Sequence, residues 1–128
     1  MNVLQILPEL NVGGVETGTV DFARELVKRG HKAVVISAGG ALVKDLDEAS
    51  VKHYELPVHK KDLFTIVRNI RRIAEIIIKE DIHIVHARSR VPAWSAFFAA
   101  RSTGRVFITT CHGYYHKHFF SFVTGWLS

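Results

Sequence analysis

Three short clusters in this sequence carry residues able to do chemistry. The first is Asn11-Val12-Gly13-Gly14, ahead of a segment with helical spacing. Two adjacent glycines there remove side chains from a backbone whose N–H groups point outward, which suits the approach of an anion. A plain strand-to-helix turn would use the same glycines without a ligand. The second is His86-Ala87-Arg88-Ser89-Arg90. Arg88 and Arg90 could grip phosphate or carboxylate in a forked geometry, or stand solvated at the surface. His86 has the further reading of a buried histidine with a backbone partner. The third is Cys111-His112-Gly113-Tyr114-Tyr115, where His112 could hydrogen-bond a sugar hydroxyl, move a proton, or serve structure alone.

Other chemistries are disfavoured by what is missing. The spacing Gly13, Gly14, Gly18 is not a dinucleotide fingerprint, and Ser37-Ala38-Gly39-Gly40 has no acid to hold a ribose. There is no phosphate-loop lysine. A phospho-acceptor aspartate is lacking near Glu55-Leu56-Pro57. Eight histidines invite a metal, but His112, His116 and His118 have no nearby carboxylate or second cysteine to complete a set, so no metal is expected. The cations at Lys60, Lys61 and along the following helix lack interleaved aromatics, so nucleic acid is not an expected partner.

Positioning these clusters requires a regular scaffold. Apolar runs at Asn2–Leu7, Ala33–Ser37, Lys52–Leu56, Ile82–His86 and Val106–Thr110 read as strands. Between them, Val15, Phe22, Ala23, Leu26 and Val27 have a helical period that Gly30 stops. Ala41–Ala49 reads as a short helix. Leu63, Ile66, Val67, Ile70, Ile73, Ala74 and Ile77 predict one apolar stripe on a helix from about Asp62 to Lys79. Pro92 suits the first turn of a helix reaching about Thr103. Alternating strands and helices predict an α/β fold: a doubly wound, Rossmann-like parallel sheet of about five strands in the order 3-2-1-4-5, with helices on both faces. In such a sheet ligands bind beyond the carboxyl ends of the strands, at the reversal between strands one and four. The loops there would be Glu9–Gly14 and Ala87–Val91, with Cys111–Tyr115 beside them.

The chain has 128 residues, of which 48% are hydrophobic and 23% charged, enough for one domain with a core. A single cysteine excludes an internal disulfide and fits a reducing compartment. No apolar run approaches the roughly 18–20 residues of a membrane-spanning helix. The start lacks a signal-peptide pattern, so a cytoplasmic location is expected. A net charge of +5 favours anionic partners.

The three clusters, in this order, resemble glycosyltransferase family 4. The resemblance runs through Ile6–Glu16, His86–Ser95 and Thr109–Tyr115, and covers essentially the whole chain. It implies the N-terminal, acceptor-side domain of a retaining transferase with two Rossmann-like domains facing a cleft (the GT-B fold). It implies a nucleotide-sugar donor as substrate and no cofactor or catalytic metal. By that resemblance Gly13 and Gly14 would lie near the donor phosphates, with Gly113 beside them. His112 would approach the transferred sugar, and Arg88 and Arg90 would contact acceptor or phosphate. Relatives with these motifs often build lipopolysaccharide or other envelope glycans. A glycan or lipid-linked acceptor at the inner face of the cell membrane is therefore an expected partner. The C-terminal donor-binding domain is expected to be absent from residues 1–128, leaving this half inactive alone. Its apolar tail, Phe119–Ser128, would meet that domain or another copy. Two rival readings stay open: a non-enzymatic assembly module that pairs with a separate donor domain, and another Rossmann-type nucleotide-binding protein.

Overall fold

The computed structural model of the chain describes residues 1–10 and 14–110, apart from the side chains of Arg90 and Val91. Within them run β1 (Asn2–Ile6), α1 (Gly14–Lys28), β2 (Lys32–Ser37), α2 (Val43–Glu48), β3 (Lys52–Glu55), α3 (Leu63–Lys79), β4 (Ile84–Ala87), α4 (Arg90–Thr103) and β5 (Val106–Thr109). The five strands form one sheet ordered β3-β2-β1-β4-β5, and every pairing is parallel. The expected order and fold class hold.

A parallel sheet needs cover on both faces, and period-two side chains supply both. On one face Leu4, Ile6, Val34 and Ile36 pack with Ile73 and Ile77 of α3 and Ala96 and Ala99 of α4. On the other, Leu7, Ala33 and Val35 pack with Val20 and Ala23 of α1 and Leu46 of α2. The run of small residues in α4 lets that helix lie close to β4 and β5. Phe97 meets Phe107 edge to face, with ring centres 5.5 Å apart.

Two predicted helical stripes need correction. In α3 the core takes Asn69, Ile73, Ile76 and Ile77, whereas Leu63 and Val67 are exposed. Asn69 is turned inward because its amide donates to the Pro57 carbonyl at 3.1 Å. In α1, Thr19 and Val20 take core positions and Phe22 lies outside. Thr19 can be buried because its hydroxyl donates to the Val15 carbonyl of the same helix at 2.8 Å. Asp62 caps α3, accepting from the Thr65 backbone N–H at 3.0 Å and from its hydroxyl at 2.6 Å. Predicted boundaries otherwise shift by a residue or two; α2 covers less than Ala41–Ala49.

The amino ends of the strands are tied together by one acid. Glu80 is 4% exposed. Its carboxylate pairs with Lys32, the first residue of β2, at 2.7 Å and with Lys52, the first of β3, at 3.1 Å. It also accepts from the Tyr54 hydroxyl. The Lys32 ammonium and the Tyr54 hydroxyl hold the Glu80 carboxyl down at about 2, against burial, which alone would raise it. A group whose folded value lies below its unfolded one stabilises fully above the unfolded value and loses that contribution as pH falls. For Glu80 the window runs from about 4.5 down to about 2. Glu80→Gln is expected to cost on the order of 2 kcal/mol at neutral pH, a figure reduced because both lysines are partly solvated. The difference from wild type should vanish toward pH 2, as urea denaturation at a series of pH values would record.

Candidate functional site

At the opposite, carboxyl end of the sheet, β1 and β4 are adjacent, and the chain leaves them toward different faces. β1 leads through Leu7, Pro8 and Glu9 toward α1. β4 leads through Arg88 and Ser89 directly into α4. The predicted reversal point therefore exists. A cleft of about 230 Å³ lies there, lined by Leu7, Pro8, Glu9, Val15, Glu16, Arg88 and Ser89. That is below the ~300–1,000 Å³ of pockets that enclose a small ligand. It has the dimensions of one wall of a site.

Arg88 is the centre of this wall. Its Nε donates to Gln5 Oε1 at 2.6 Å, and its guanidinium lies over the Phe22 ring at 5.7 Å. Burial pulls the Arg88 guanidinium below its ordinary value. Gln5 stands in the middle of β1 with no solvent exposure. Its side-chain amide also donates to the Thr19 carbonyl of α1 at 3.2 Å. One buried amide thus joins β1, the β4–α4 turn and α1. Among the described residues Arg88 is held through Nε, and its two terminal nitrogens keep the forked geometry that carboxylates and phosphates match. Around it, Gly18 offers no side chain: among the described residues a Cβ there would meet Arg88 Nη1, at 4.0 Å.

Gly14 is the first residue of α1, not the end of a loop. Its backbone is helical, and a Cβ there would meet nothing within 4 Å among the described residues. Among the described residues neither strain nor crowding asks for glycine at this position. α4 likewise begins without a side-chain cap: Ser89 is its N-cap residue and makes no capping hydrogen bond. The amino ends of α1 and α4 thus flank Arg88, both with backbone N–H groups suited to negative charge.

The remaining predicted residues fall as follows. Arg90 is the first residue of α4 rather than part of a loop to Val91, because helical geometry begins immediately after Ser89. His86 lies inside β4, which runs one residue further than expected, to Ala87, and its ring Nε2 is 3.2 Å from the Thr110 hydroxyl. Gly13, His112 and Gly113 lie outside the described residues, as do Cys111, His116, His118 and the aromatic segment to Ser128. Sequence reasoning missed Gln5, Phe22 and Glu16. Gln5 had a readable signal: a polar side chain inside an apolar run with both faces buried must find partners. Gln5→Leu removes the acceptor of a buried, charged N–H. It is expected to cost about 1–3 kcal/mol in urea denaturation.

Residues 12–128 match the family model described as Glycosyltransferase Family 4. A glycosyltransferase from Rickettsia africae is 46% identical, with a TM-score of 0.78 over 85% of this chain and 29% of that one. One component of human phosphatidylinositol N-acetylglucosaminyltransferase is 26% identical over 110 residues, 80% of this chain and 23% of that protein. MurG of Acinetobacter baumannii shares the fold at a TM-score of 0.68 with 14% identity, over 86% of this chain and 35% of MurG. The chain thus spans about a quarter to a third of the length of these proteins.

Proposed function

The chain belongs to glycosyltransferase family 4, and from that premise we propose that it forms the acceptor-side wall of a retaining sugar transferase. The observation that carries the reading is Arg88, held by Gln5 at the strand reversal between two helix amino ends. In the proposed reaction an acceptor hydroxyl displaces a nucleoside diphosphate from the anomeric carbon of a nucleotide-sugar. The new C–O bond forms as the old one breaks, with retained configuration. The hydroxyl proton leaves with the diphosphate. Arg88 and Arg90 take phosphate or acceptor, Gly13, Gly14 and Gly113 admit the donor phosphates close to the backbone, and His112 faces the transferred sugar. No metal or cofactor takes part.

The acceptor in this reading is a glycan or a lipid-linked sugar used in envelope polysaccharide or lipopolysaccharide synthesis, met at the cytoplasmic face of the membrane. Among the described residues no helix is long and apolar enough to cross a membrane. Stabilising the departing diphosphate is commonly the largest single contribution to such a reaction. It calls for a second, donor-binding domain opposite this wall.

Two measurements test this. The 128-residue chain should bind a short polyprenyl diphosphate sugar by calorimetry. Arg88→Ala should weaken that binding about 10- to 100-fold, the worth of a charge-assisted pair. Equal binding by the variant would refute the role of Arg88. Joined to a donor-binding domain of a family relative, the chain should transfer sugar. His112→Ala there should slow transfer at least about a hundredfold while donor binding persists. Efficient transfer by the 128-residue chain alone would contradict the shared cleft.

A further inference from the structure

The cleft wall at Pro8 and Glu9 is held from behind by the turn that follows β2. The Ala38 N–H donates to the Pro8 carbonyl at 2.8 Å, the Leu10 N–H to the Gly39 carbonyl at 2.9 Å, and the Leu42 N–H to the Leu10 carbonyl at 2.8 Å. These backbone bonds tie residues 8–10 to residues 38–42. Leu10 has no solvent exposure, so its amide and carbonyl have to be satisfied within the chain. The placement of Pro8 and Glu9 in the cleft therefore depends on where residues 38–42 stand. So does the point from which the chain sets out toward Gly13 and Gly14.

That turn is a poor anchor by itself. Gly39 and Gly40 have φ of +99° and +150°, and glycine adopts many other conformations at little cost. A contact outside the turn has to select this one. The Gly39 N–H donates to the Ser37 hydroxyl at 3.0 Å, and that hydroxyl lies 2.7 Å from Nε2 of His53 in β3. Ser37 has no solvent exposure. With Gly39 donating to its oxygen, the hydroxyl proton has, among the described residues, Nε2 of a neutral His53 as its acceptor. Burial holds the His53 imidazole below its ordinary value, against the charges of Glu55 in β3 and Asp47 in α2, both of which would raise it. A protonated ring would donate from Nε2 and take that acceptor away from the buried hydroxyl.

We propose that Ser37 and His53 are positioning residues for the cleft: they fix the Gly39 turn and, through Leu10, set the β1–α1 segment that leads to the donor phosphates. His53 stands on β3, two strands from β1, and acts through the backbone without contact to substrate. The inference rests on the reading of Gly13 and Gly14 as the donor side of the cleft, and its first test uses no donor.

That test follows the backbone amide signals of the 128-residue chain by NMR from about pH 8 to about pH 5, the range in which histidine changes charge. The Leu10 and Gly39 signals should shift together with the His53 ring, at a midpoint below the ordinary histidine value. In Ser37→Ala the ring should still titrate while Leu10 no longer follows it. In His53→Gln, whose side-chain oxygen can accept from Ser37, Leu10 should keep its neutral-pH position and lose the titration. In His53→Leu the Leu10 signal should move away at every pH. Circular dichroism checks that each variant folds. The second test uses the chain joined to a donor-binding domain. His53→Leu should raise the donor KM about 3- to 10-fold, the worth of one net hydrogen bond, with a smaller change in kcat, and His53→Gln should restore it. A Leu10 signal indifferent to His53 ionisation and to His53→Leu in a folded chain would overturn the proposal, as would a Leu10 titration that survives Ser37→Ala. An unchanged donor KM beside a responding Leu10 would overturn the link to donor binding. Absence of transfer by the joined wild-type chain would instead count against the transferase reading, and the Leu10 result would stand.

Discussion

Gln5 occupies the central strand of the sheet, where no water reaches it and its amide has to be satisfied by protein groups alone. Its oxygen takes the Nε of Arg88, and its nitrogen gives to the Thr19 carbonyl. Those two bonds set the relation between β1, α1 and the turn after β4. The apolar core is forgiving by comparison, because aliphatic side chains of similar size can exchange with modest loss. A buried amide has directions as well as volume. It allows Arg88 one orientation, and with it one arrangement of the cleft.

The two ends of the sheet divide the labour. At the amino end, Glu80 gathers Lys32, Lys52 and Tyr54 and secures the starts of β2 and β3. That cluster satisfies its buried carboxylate within the chain and leaves its two lysines partly in solvent. At the carboxyl end the pattern differs. Arg88 is bound through Nε to a neutral amide and rests on a ring, α4 opens without a side-chain cap, and a Cβ at Gly14 would meet none of the described residues. Parallel sheets of this order place their ligands at that carboxyl end.

The departures from helical periodicity have a physical cause. A stripe of apolar residues tells which side of a helix can be buried, and the neighbours decide how much of it is. In α3, Asn69 is buried with its amide on the Pro57 carbonyl and Ile76 is buried beside it, while Leu63 and Val67 are exposed. In α1, Thr19 is buried by bonding to its own helix, and Phe22 is left to cover Arg88. Apolar side chains left on the surface by such competition are available for a partner.

The sequence by itself determined the class of fold, the order of elements and the strand order, and with them the end of the sheet at which the candidate site lies. These follow from local periods, from glycine and proline positions, and from the need to cover a parallel sheet on both faces. Arg88 was legible because it directly follows a strand at the reversal point. Tertiary structure alone decided what Arg88 touches, because Gln5 and Phe22 are 83 and 66 residues away in the chain. Only the fold could likewise gather Glu80 with Lys32 and Lys52, or leave Leu63 and Trp94 exposed. Contacts between distant residues depend on how whole elements pack, and no local period records that.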